Sequence, residues 1–233
     1  MEIREIIKDA FVYPLKNMKA LVIYSILGII LGVVVIGTIT SAATMDNTSA
    51  GTVTGIIGIV ITIIIAFVIS GYELDIVKFG IIRTDSAPGI DIARQFTNGV
   101  KVLAVTLIYF ATIIFFSACL LVLFPHWIST VIIALLFIIF ALPAFTAHCR
   151  LAESENLGYA LAMGEAVGDI IRVGTEKLII LTIVIAILVL ISYFIVTLIT
   201  QWNQSIGGAL MGILGVYITF FTGRATGLLY SEV

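Results

Sequence analysis

The chain has 233 residues, of which 61% are hydrophobic and 11% charged, with a formal net charge of -2 and a mean hydropathy of +1.23. An average soluble domain carries roughly 25% charged residues, so this composition excludes an ordinary water-soluble fold and calls for lipid as solvent. The scattered Lys and Arg form no basic stripe, which excludes phosphate-neutralising recognition of nucleic acid.

In chain order, Ile3, Ile6, Ile7, Ala10, Phe11 and Leu15 recur at helical spacing, while Glu2, Arg4, Glu5, Lys8 and Asp9 take the positions between them. This predicts an amphipathic helix lying in the interface, ended or bent by Pro14. The segment runs into a span without a cleavage site and is not read as a signal peptide. From Ala20 to Tyr72 the only charged side chain is Asp46. A helix of that length would reach about 70 Å or more, twice what a hydrocarbon core of roughly 30 Å needs, so the stretch must double back. The turn chemistry of Asp46-Asn47-Thr48-Ser49-Ala50-Gly51 marks the place, with spans near 20–43 and 53–72.

Residues 73–101 collect charge and carry the turn Ser86-Ala87-Pro88-Gly89. Ile90, Ala93, Arg94 and Thr97 follow it and lead to Lys101. Val102 to Cys149 is free of Asp, Glu, Lys and Arg and folds back at Pro125-His126-Trp127, giving spans near 102–124 and 128–147. Pro143 is expected to kink the second of these. Residues 148–177 repeat the pattern, with Leu157, Leu161, Val167, Ile171 and Val173 ahead of Lys177. Leu178 to Gly223 is again uncharged and turns at Gln201-Trp202-Asn203-Gln204-Ser205, giving spans near 178–200 and 206–223.

The expected architecture is an all-α integral membrane bundle of six transmembrane helices arranged as three hairpins, each preceded by a cytoplasmic amphipathic segment, in a single multispan domain over 1–233. Lys19, Lys101 and Lys177 stand at the span starts, where each can snorkel to the headgroups. Their spacing fits a threefold repeat over 1–72, 73–147 and 148–233, or the general habit of multispan proteins to place Lys at span starts. An even number of spans puts both termini on one side, together with all 12 basic residues, which makes that side the cytoplasmic face of a plasma membrane. Trp127 and Trp202 fall in the opposite turns and are expected to anchor there. The Ile-rich composition suits an archaeon.

Gly28 and Gly32, and Gly208, Gly212 and Gly215, follow the small-xxx-small pattern that lets helix backbones approach closely, either within one chain or between two copies. The predicted spans hold no Asp, Glu, Lys or Arg, which counts against ion-coupled transport. There is no P-loop, dinucleotide fingerprint, zinc-protease helix or nucleophile elbow. His148, Cys149, Glu153 and Glu155, with Glu165, Asp169 and Glu176 further on, match no standard metal-ligand spacing. No catalytic residue, cofactor or metal is therefore expected, and the chain is read as not an enzyme. Cys119 and Cys149 lie near opposite faces and imply no disulfide framework.

Ile6-Ile7-Lys8-Asp9-Ala10-Phe11-Val12-Tyr13-Pro14, Gly71-Tyr72, Ala87-Pro88, Phe96-Thr97-Asn98-Gly99-Val100-Lys101 with Leu107-Ile108-Tyr109, and Leu142-Pro143-Ala144 together resemble an archaeal and bacterial polytopic membrane family catalogued as domain of unknown function 4013. Gly89 departs from that pattern, in which an aromatic typically follows the inner-loop proline. The resemblance implies one multispan domain without an assigned activity and transfers no catalytic residue. The expected function is a non-enzymatic membrane-organising or partner-binding protein whose partners are membrane lipid, a protein or a second copy of itself. The alternative is a permease or channel for a neutral or apolar solute, lipid included. A membrane-bound enzyme acting on lipid headgroups would require Glu153, Glu155, Glu165 and Asp169 to converge.

Overall fold

A computed structural model describes residues 1–44, 49–124 and 126–232. Several side chains flanking the two interior gaps, including those of His126 and Trp127, lie outside the description. The described residues form helices and no strand: α1 (Ile3–Lys16), α2 (Met18–Thr44), α3 (Ser49–Ile81), α4 (Ile92–Leu123), α5 (His126–Ser154), α6 (Leu157–Ala160), α7 (Met163–Val173), α8 (Thr175–Trp202) and α9 (Gln204–Tyr230). Among the described residues, 5 segments are long and apolar enough to cross a membrane: Met18–Ile39, Gly55–Ile81, Ile92–Leu123, Thr175–Trp202 and Gln204–Tyr230. With no water in the hydrocarbon, every backbone N–H and C=O must be satisfied within the chain, and continuous helices do this.

The breaks have local causes. α1 ends two residues beyond Pro14, and Asn17 donates its side-chain amide to Tyr13 O at 3.0 Å and Asp85 O at 3.2 Å. Asp91 caps α4 by accepting from Arg94 N at 3.1 Å, and Asn203 caps α9 by accepting from Ile206 N at 3.0 Å. Asn203 alone separates α8 from α9. The expected turns at Asp46-Asn47-Thr48 and at Pro125 lie outside the described residues.

Two features differ from the sequence reading. α3 does not stop with the apolar run at Tyr72 but continues to Ile81, so Glu73, Asp75 and Lys78 are helical and belong to a candidate span. Charge ends a hydropathy window, but it does not break the intrahelical hydrogen bonds. The second amphipathic segment is likewise no separate helix: from its cap at Asp91 the chain runs unbroken through Lys101 into the apolar half of α4, with no Pro to interrupt it. The proposed repeat boundaries at 72/73 and 147/148 therefore fall inside α3 and α5.

α9 is the central element and packs against α1, α2, α3, α5 and α8. A Cβ on Gly28 would stand 2.5 Å from Gly212 O, and one on Gly208 would stand 2.9 Å from Gly32 O, so α2 and α9 meet backbone to backbone within one chain. Gly215, from the same run, takes no part in that contact and faces open space. Below this crossing Tyr24 stacks on Tyr72 with ring centroids 4.0 Å apart, and Phe220 closes the cluster.

Candidate functional site

The charged residues gather at one end of the bundle, where they tie distant segments together. Arg224, near the end of α9, donates to Asp9 Oδ2 at 2.7 Å, Thr84 O at 2.6 Å and Asp85 Oδ1 at 2.7 Å, and its guanidinium lies over the Tyr13 ring. Burial pushes the Tyr13 hydroxyl up to about 12, against the pull of Arg224. Arg150 of α5 donates to Asp169 Oδ2 at 2.9 Å and to Tyr159 O at 3.0 Å, and pairs with Glu165. Tyr230 donates to the same Asp169 oxygen at 2.9 Å. Lys78 pairs with Glu155 at 2.5 Å and holds that carboxyl below its ordinary range. Asp75 of α3 is buried and accepts from Arg94 at 2.9 Å, Asn98 at 3.2 Å and Gln95 at 3.4 Å, all on α4.

Two cavities follow the seam between α3 and α9. One, on the α2 side, is an apolar crevice of about 290 Å³. The helix-packing glycines Gly28, Gly32 and Gly212 line it together with Ala66, and it is edged by Gly215 and Met211, both exposed on the lipid-facing side. The second, of about 160 Å³, lies on the α4/α5 side, about one turn nearer the charged end. Its wall is hydrocarbon from Leu74, Val77, Val102 and Phe145, and Glu73, His148, Ser70, Thr222 and Thr226 complete the lining. Thr106 gives its proton to Val102 O at 2.9 Å and meets His148 Nε2 at 3.1 Å.

The residues singled out from the sequence are placed as follows. Lys101, nine residues into its helix, donates to Glu155 O at 3.1 Å. Lys177 donates to Met1 O at 3.1 Å and pairs with Glu232 at 2.5 Å, and the Met1 ammonium also pairs with Glu232. Lys19 stands in the first turn of α2. Trp202 is 89% exposed at the end of α8. Cys119 is exposed and Cys149 buried, both as free thiols. Of the four acids that an enzyme reading would need together, Glu165 and Asp169 share Arg150, Glu155 is held by Lys78, and Glu153 faces outward.

The sequence reading missed Glu73, Thr226 and the Asp75 cluster. One signal was present: Leu74, Val77 and Ile81 carry the helical apolar spacing straight across Glu73 and Asp75.

Helices of this length and composition, with apolar surfaces facing outward and cavities between them, define an all-helical multi-pass membrane protein. Within that class the chain belongs to the family described as Protein of unknown function (DUF4013), which it matches over residues 54–201, well over half its length. No curated protein and no solved structure matches the chain. The family match covers four of the resembling motifs, from Gly71-Tyr72 to Leu142-Pro143-Ala144, and begins after the one at Ile6 to Pro14.

Proposed function

We propose that this chain is a non-enzymatic plasma-membrane protein that binds lipid, with a hydrocarbon chain seated in the crevice between α2, α3 and α9. The observation that carries this reading is the crevice itself: about 290 Å³, close to the lower end of small-molecule sites at roughly 300 Å³, almost wholly apolar, and open sideways at Met211 and Gly215. Where the surrounding solvent is acyl chain, an occupant of such a slot must be as apolar as the bilayer interior. The tied acids at the charged end support the non-enzymatic part of the reading, since a general acid or base must be free to exchange its proton.

In this scheme α5 is the sixth span, α2/α3, α4/α5 and α8/α9 are the three hairpins, and both termini are cytoplasmic. The ion pair between Met1 and Glu232 supports termini on a common side, and the location of all 12 basic residues supports its being the inner one. In a C119S background, thiols introduced as S86C and S205C should then label from opposite compartments, Ser86 from the cytoplasm. Equal labelling of both from one side would overturn the topology.

The lipid reading is tested by native mass spectrometry of the full chain released from nanodiscs. Wild type should retain phospholipid, A66W, which fills the crevice, should lose most of it, and I56W, on the exposed face of α3, should behave as wild type. Equal retention by A66W would sink the proposal. The second reading, a permease for a neutral or apolar solute, is favoured by one observation: the two cavities flank a single helix seam, with Ile69 and Thr219 on one side and Ser70 and Thr222 on the other. Solute flux in proteoliposomes that A66W blocks would select it.

A further inference from the structure

Among the described residues, buried and half-buried acids are given partners, with one exception. Asp75 is 4% exposed and has Arg94, Gln95 and Asn98; Asp169 is 2% exposed and has Arg150, Arg172 and Tyr230. Glu73, two residues from Asp75 on the same helix, has no hydrogen bond or ion pair to any described residue, yet it is half-buried against a hydrocarbon-walled cavity. A second polar group in the same cavity is also unsatisfied: Thr226 is 4% exposed, and its hydroxyl, sealed from solvent, has no hydrogen-bond partner. Leaving a buried hydroxyl unpaired is costly and a charge more so, and the two groups border one cavity, which calls for an occupant that pairs with Glu73 and toward which the Thr226 hydroxyl can turn.

The chemistry of the walls identifies the occupant. His148 forms no ion pair with Glu73, its Nε2 lying 3.1 Å from the Thr106 hydroxyl. A hard metal ion needs roughly six or more oxygens at close range, whereas the cavity offers one carboxylate and the hydroxyls of Ser70, Thr222 and Thr226. Its about 160 Å³ is also far more than a bare ion fills, and most of the lining is apolar. Phe145 adds an aromatic wall, which attracts organic cations.

We propose that the Glu73 cavity is a binding site for an alkylammonium group, its nitrogen paired with the Glu73 carboxylate and hydrogen-bonded to Thr226, its carbons lying on Leu74, Val77, Val102 and Phe145. The cavity lies toward the charged end of α3 and α9, so the ammonium belongs either to an aminophospholipid headgroup or to a free amphiphilic amine. This site is separate from the crevice beside α2 and stands whether or not that crevice holds a chain.

The test compares the full-length wild type with E73Q and T226V in nanodiscs of phosphatidylglycerol. Octylammonium is titrated as the soluble probe, and phosphatidylethanolamine is added as the lipid probe and read by native mass spectrometry. Neither substitution removes an existing intramolecular contact, so both variants should remain folded and monodisperse. Wild type should bind one or both probes, E73Q should bind at least about tenfold more weakly, and T226V about three- to tenfold more weakly. Retention of phosphatidylethanolamine without octylammonium binding assigns the site to a lipid headgroup, and the converse assigns it to a free amine. Equal binding by wild type and E73Q, saturation by Na⁺ or K⁺ with no response to either amine, or no binding at all would each overturn the proposal.

Discussion

Replacing Gly212 with leucine should destabilise the protein by about 3 kcal/mol or more, lowering its apparent melting temperature by about 10 °C in mild detergent, as read by fluorescence-detected size exclusion during a temperature ramp. The magnitude follows from what the new side chain meets. At the α2/α9 crossing a Cβ on Gly212 would run into the Gly28 carbonyl, and one on Gly28 would lie 2.5 Å from Gly212 O. Both obstacles are backbone, which cannot rotate away as the end of a side chain can, so accommodation requires the helices to separate. Separation then loosens Tyr24, Tyr72 and Phe220, which pack beneath the same crossing. In lipid no hydrophobic drive holds helices together, so lost van der Waals contact is not offset by burial elsewhere. G215L is the internal control: one turn along the same helix, with no atom within 4 Å of its Cβ, it should shift the transition by no more than about 2 °C. If G212L and G215L melt together, the α2/α9 approach is wider than described here.

That contact was legible in the sequence, since Gly28/Gly32 and Gly208/Gly212 carry the spacing and need only be placed on facing helices. Comparable approaches were not read. A Cβ on Gly71 would strike Gln95 O, one on Gly99 would strike Phe67 O, and Gly80 meets Gly227 across the α3/α9 seam. Gly223 and Gly227 also follow the four-residue pattern, but Gly227 lies beyond the uncharged run, with Arg224 between the two. The apolar runs located the helices because hydropathy is a local property. What hydropathy could not locate was where each helix ends, because a helix stops when its hydrogen-bond ladder is capped, at Asp91 or Asn203, and not where the first charge appears. Glu73 was lost for that reason: it stands one residue past the apolar run and yet eight residues inside α3. Its status as the unpaired acid depends on neighbours from α4, α5 and α9, none of which is near in sequence. Arg224 and Asp9 are 215 residues apart, and no spacing rule joins them.

The Arg150 cluster gives the other large effect. R150M should cost about 3–5 kcal/mol, because it leaves Asp169 as an almost fully buried carboxylate without its main cation. Arg172, at 3.5 Å with its side chain 69% exposed, can recover only part of that loss. The damage should be directional. Arg150 reaches from α5 to the Tyr159 carbonyl of α6 and to Glu165 and Asp169 of α7, while Asp169 also accepts from Tyr230 at the end of α9. With the guanidinium gone, residues 157–173 are held to the bundle by the bonds from Thr146 to Ala166 O at 2.8 Å and from Tyr230 to Asp169 at 2.9 Å and by their apolar contacts. Amide hydrogen exchange in that segment should accelerate well before exchange in α2 or α3. A paired substitution separates charge from shape: R150M/D169L removes the stranded carboxylate together with its partner, and an apolar pair in place of a buried ion pair is often neutral or stabilising. The double variant should therefore recover at least half of the single variant's loss in melting temperature, while the exchange of 157–173 stays faster than in wild type because the Tyr159 bond is missing as before and the Tyr230 bond goes with Asp169. Failure to recover would mean that Arg150 contributes by filling space and satisfying the Tyr159 carbonyl, and that its pairing with Asp169 contributes little.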